Sequence, residues 1–92
     1  RAAPSGTAAM TQLEKLYAQL IANRGDMRFA DFLRIVEAFG FVHVRTKGSH
    51  QSYAHSACPR LLVLQPKGKD AKRYQVREFL DMVEQYGLTL DD

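Results

Sequence analysis

Ninety-two residues with a 46% hydrophobic fraction suit one globular domain and argue against a second domain or a disordered chain. No apolar run approaches the ~20 residues that span a bilayer, no charged-apolar-small leader is visible, and the single cysteine, Cys58, cannot close an internal disulfide, which together point to a reducing cytoplasm. The formal net charge of +3 conceals an asymmetry, because residues 41–77 hold eight Lys/Arg against one acid, Asp70, while the rest of the chain carries five basic and nine acidic side chains.

Residues 1–9 (RAAPSGTAA) are rich in small side chains and precede Met10. They read as an expression-vector remnant, and a single domain is expected over residues 10–92. Leu13, Leu16, Tyr17 and Leu20 fall at i, i+3, i+4, i+7 and predict a first amphipathic helix. Thr11 and Glu14 have capping-box spacing at its start, and Gly25 is the expected stop. Phe29, Phe32, Leu33 and Val36 repeat the stripe, extended by Phe39, with Asp31 near the positive end of the helix dipole. Gly40 followed by Phe41 fits a left-handed glycine stop with an apolar contact behind it.

Three strands are expected next. Residues 41–46 alternate, with Val42 and Val44 on one side and His43 and Arg45 on the other. Residues 51–56 are more polar, with Tyr53 as the main anchor. After a turn at Cys58-Pro59, Leu61-Leu62-Val63-Leu64 is a continuous apolar run, as expected of a strand covered on both faces or running through mid-sheet. Pro66 and Gly68 end it. The last helix carries Val76, Phe79, Leu80 and Val83 and stops at Gly87-Leu88. Asp70 is the best local cap, with the helix starting there or two or three residues later. The order is α-α-β-β-β-α. Short links predict an antiparallel three-stranded meander with the helices packed on one face, an α+β fold.

The chemistry concentrates in Lys47-Gly48-Ser49-His50, a glycine turn between the first two strands. Gly48 allows close backbone approach. Ser49 and the turn amides can donate to an anion, Lys47 supplies charge, and the imidazole of His50 changes charge near neutral pH. Lys67, Lys69, Lys72 and Arg73 form a second basic segment. Cations at the start of the last helix oppose its dipole, which hints at a functional reason for them. Together these groups point to a phosphodiester ligand; the alternative is a solvated basic face. The histidines His43, His50 and His55 lack zinc-ligand spacing and no acid cluster joins them, so neither a metal site nor a cofactor is expected. Tyr74 is expected to pack on the sheet, Cys58 to be a bystander, and Met27 and Met82 to belong to the core.

Lys47-Gly48-Ser49-His50, then Lys67-Gly68-Lys69, then Tyr74-Gln75-Val76-Arg77 in this order resemble the HicA toxins of bacterial type II toxin–antitoxin systems. The first helix resembles the extra N-terminal helix of longer members. The resemblance implies a fold like the double-stranded-RNA-binding domain, metal-independent cleavage of mRNA, and neutralisation by a HicB-type antitoxin. It carries the family's active histidine onto His50 and its turn glycine and serine onto Gly48 and Ser49. Many members have a second histidine next, where this chain has Gln51. On this reading His50 moves a proton as a ribose 2′-hydroxyl attacks the adjacent phosphate, while Lys47, Lys67, Lys69, Lys72 and Arg73 hold phosphates. The competing reading is a non-catalytic RNA-binding or protein-interaction module on the same fold.

Overall fold

The computed structural model describes residues 11–23 and 26–90. The segment 1–9 and the expected helix stop at Gly25 lie outside the described residues. The elements are α1 (Gln12–Ala22), α2 (Phe29–Ala38), β1 (Val42–Lys47), β2 (His50–Ala54), β3 (Leu62–Leu64) and α3 (Arg73–Gln85). This is the expected α+β arrangement and element order, with strand limits displaced by a residue or two.

Short-range chemistry sets the helix ends. The Glu14 N–H donates to Thr11 Oγ1 at 3.1 Å and the Thr11 N–H to Glu14 Oε1 at 2.9 Å, so two otherwise orphaned donors of α1 are satisfied reciprocally. After α2, Gly40 takes φ +97, a conformation that disfavours any residue with a Cβ. The Gly40 N–H then reaches the Glu37 carbonyl at 3.0 Å and the Phe41 N–H the Val36 carbonyl at 3.4 Å, the paired closure of a Schellman motif. The same closure ends α3, where Leu88 donates to Val83 at 2.9 Å.

The start of α3 falls within the expected range beyond Asp70. Its N-cap is Lys72, without a side-chain cap, and Asp70 does not serve as the cap. Residues 67–70 instead fold into their own tight turn, in which Lys67 and Asp70 exchange backbone hydrogen bonds of 2.8 and 3.0 Å. Two further bonds clip this turn to the start of α2: Phe29 N–H to the Lys69 carbonyl at 2.8 Å and Ala71 N–H to the Met27 carbonyl at 2.9 Å. The helix can begin only after Ala71 has been used in that bridge.

The sheet has the order β1-β2-β3, antiparallel throughout. The apolar run at 61–64 was expected to be covered on both faces or central, and it is neither. β3 is an edge strand; Leu62 and Leu64 are fully buried, whereas Leu61 and Val63 are each 40% exposed. The helices cover one face, so only alternate residues meet them. The more polar β2 is the central strand, with Ser52 and Tyr53 both buried.

In β1 the simple alternation fails. The register slips between His43 and Arg45, leaving Val44 as the extra residue of a bulge. His43 stands opposite Tyr53 and Arg45 opposite Ser52. Because Tyr53 and Ser52 point to opposite faces, so do His43 and Arg45, which the sequence pattern placed together.

The core lies between the helices and the covered sheet face. Phe79 of α3 sits at its centre, with ring centroids 5.5 Å from Phe32, 5.3 Å from Phe39 and 5.9 Å from Phe41. Tyr17 of α1 reaches Phe39 at 5.0 Å, and Leu20 of α1 is fully buried. Met27 and Met82 join this cluster as expected.

Candidate functional site

The hairpin between β1 and β2 closes over only Gly48 and Ser49. Gly48 has φ +63, the positive value that a two-residue hairpin turn demands. Nothing lies within 4 Å of where a Gly48 Cβ would sit, so the backbone here is open to a ligand. Lys47 and His50 are therefore direct cross-strand neighbours. Both are exposed.

Strand period 2 puts His50 and Ser52 on the sheet face turned away from the helices. Their partners Lys47 and Arg45 project to that same face. A shallow depression results, lined by Arg45, Lys47, His50, Ser52 and Val63. One imidazole thus stands beside two cations on an open, one-sided surface.

A polar chain ties this turn to the second basic segment. Gln65 Nε2 donates to Ser49 Oγ at 2.8 Å, and Lys72 Nζ donates to Gln65 Oε1 at 3.0 Å. The Gln65 backbone N–H donates to the buried Gln75 Oε1 at 2.9 Å, which fixes Gln65 against α3. Ser49 and Lys72 are thereby brought into one network. Lys67 and Lys69 lie in the clipped turn behind it and Arg73 opens α3; all three are exposed. Among the described residues the ion pairs are Arg34–Asp31 and Arg60–Glu78. None of Arg45, Lys47, Lys67, Lys69, Lys72 or Arg73 has a carboxylate partner among them. The free N–H groups at the start of α3 add to this positive potential.

The other histidines are elsewhere. His43 is on the opposite face from His50, its Nε2 2.6 Å from Thr46 Oγ1. His55 accepts from the Ala57 N–H at Nδ1 (3.0 Å) and donates from Nε2 to the Phe39 carbonyl (2.9 Å), which assigns it a structural role under the Gly40 turn. Gln51 faces the covered side, where its Oε1 accepts from the Tyr53 hydroxyl at 3.3 Å. His50 is the single imidazole on its surface. Cys58 is half-buried, and burial pushes its thiol up against a smaller opposing pull from Arg60, as suits an inert residue. No group of three or more His, Cys, Asp or Glu residues among the described residues could hold a metal ion. Tyr74 departs from expectation. It is 57% exposed rather than packed on the sheet, because it lies off the buried Val76–Phe79 stripe of α3.

The architecture is thus a small α+β domain with one sheet face covered by helices and the other carrying His50 among cations. The chain belongs to the HicA toxin family: the family described as the HicA toxin of bacterial toxin-antitoxin matches residues 29–88, from the start of α2 to just past α3. Helix α1 precedes the matched residues and still contributes Leu20 and Tyr17 to the core. No curated protein and no solved structure matches the chain.

Proposed function

We propose that this HicA-family toxin is an endoribonuclease that cleaves mRNA without a metal ion, using His50 as its acid/base group. The observation that carries this reading is the placement of His50: exposed, on the open sheet face, paired across the turn with Lys47 and beside Arg45. A phosphodiester laid on that face meets an imidazole able to accept and return a proton. Lys47 and Arg45 offset charge growing on the non-bridging oxygens. Ser49 and the turn amides approach the same phosphate, because Gly48 leaves the backbone uncovered. Lys67, Lys69, Lys72 and Arg73 hold the flanking strand. Attack by the ribose 2′-hydroxyl makes the reaction specific for RNA.

With one imidazole on this face, His50 serves both halves of the proton transfer or shares them with water. The partner of this reading is a HicB-type antitoxin, which either blocks His50 directly or holds the toxin in an inactive assembly. The cytoplasm, where mRNA is met, is the corresponding location.

The test is cleavage of single-stranded RNA by purified protein in EDTA, with the matching DNA as control. RNA should be cut and DNA spared. His50→Ala should lower the rate by about 10²–10⁴-fold, the usual worth of a general acid or base. Equal cleavage by parent and His50→Ala would overturn the assignment. Retarded RNA that stays intact with both proteins would establish a binding module instead.

A further inference from the structure

Resting on the RNA reading above, we infer that Tyr74 is a stacking platform for a base of single-stranded RNA, next to the site of cleavage. Among the described residues Tyr74 is the one tyrosine or phenylalanine that is exposed, at 57%. Two contacts orient it. Gln75 Nε2 donates to its hydroxyl at 3.4 Å, and the Lys72 ammonium lies 5.9 Å from the ring centroid. That ammonium also binds Gln65, which binds Ser49 of the hairpin turn. The ring is therefore linked through Lys72 and Gln65 to the residue before His50, within reach of a nucleotide or two of the same strand.

The surroundings choose a base over a phosphate. The concavity beside the ring is lined by Lys67, Lys72 and Arg73, but also by Asp26 and Asp70. Two carboxylates repel a phosphate placed among them, yet they accept hydrogen bonds from the N–H edge of a neutral base. An exposed ring face, a flanking ammonium and carboxylate acceptors suit a nucleobase, while the cations toward Lys72 and the turn take the backbone. Stacking of this type tolerates any base, because every base has a π-face.

The experiment uses the full chain carrying His50→Ala, so that RNA survives the measurement. Binding of a labelled single-stranded RNA is compared with binding of the same strand made abasic. Tyr74→Ala should weaken the RNA complex by about tenfold and leave the abasic complex unchanged; Tyr74→Phe should bind like the parent. The chain has no tryptophan, so Tyr74→Trp installs a single reporter, whose emission should be quenched by RNA and not by the abasic strand. Equal RNA affinity of Tyr74→Ala and the parent, or an equal loss on both strands, overturns the stacking platform while leaving the nuclease reading intact. A parent that binds no RNA at all overturns the RNA reading itself, and the platform with it.

Discussion

Gln65 joins two residues that lie far apart along the chain. Its amide carries the Ser49 hydroxyl on one end and the Lys72 ammonium on the other. Gln65→Leu keeps the bulk and removes both contacts. Each such hydrogen bond contributes only about 0.5–1.5 kcal/mol to stability, so the melting temperature should change little. The effect belongs in substrate handling: KM for RNA should rise several-fold, since the turn and the basic loop lose their mutual alignment. An unchanged KM would show that the two segments bind RNA independently. Lys47, Gly48, Ser49 and His50 were legible in the sequence because one short turn carries all of them. Gln65 was not, because its partners are 16 and 7 positions away and nothing in an isolated amide announces them. The exposure of Tyr74 had a signal, since it falls off the Val76, Phe79, Leu80, Val83 stripe that marks the buried side of α3.

At the scale of elements, what the sequence revealed best was what local rules decide. The capping box of α1 and the glycine closures of α2 and α3 each depend on residues within one turn. Strand coverage depends on where distant helices land. That is why the apolar run at 61–64 suggested a doubly covered or mid-sheet strand, and why the bulge that separates His43 from Arg45 left no trace in the pattern. Gly40 illustrates how far a local rule can reach. Its φ of +97 strains any other residue, and a Cβ there would come within 3.0 Å of His55 Nε2. Gly40→Ala should therefore cost about 1–2 kcal/mol for the left-handed backbone alone, and more through displacement of His55. Calorimetric or denaturant unfolding measures this. A second expectation concerns α1: Thr11→Ala should cost about 0.5–2 kcal/mol by unmaking the box, seen as faster amide exchange confined to the first turn of that helix.

Over the whole molecule, the cationic half of the chain maps onto the sheet and the loop behind it, while the acid-rich half forms most of the helices. RNA affinity should accordingly fall steeply with salt, as phosphate contacts release counterions. The core sets a different limit, at high pH. Burial raises the Tyr17 and Tyr53 phenols above their ordinary value of 10.0, and Glu37 adds to the effect at Tyr53. Below pH 10 folded and unfolded chains both hold these protons, so stability is unaffected by them. As pH climbs past 10 the unfolded chain ionises first, and stability declines. Thermal melts across this range should show that loss, and Tyr17→Phe with Tyr53→Phe should make it shallower.

Among the described residues strand β1 has no neighbour on its outer margin, a template on which a second chain could add its own strand. The kink at Val44 and the charges of Arg45 and Lys47 are the devices that discourage such growth. On the proposed function, the same two cations would both guard against self-association and face the RNA. Neutralising them to weaken RNA contacts also removes the guard, so Arg45→Ala with Lys47→Ala should form soluble oligomers or precipitate at concentrations where His50→Ala stays monodisperse.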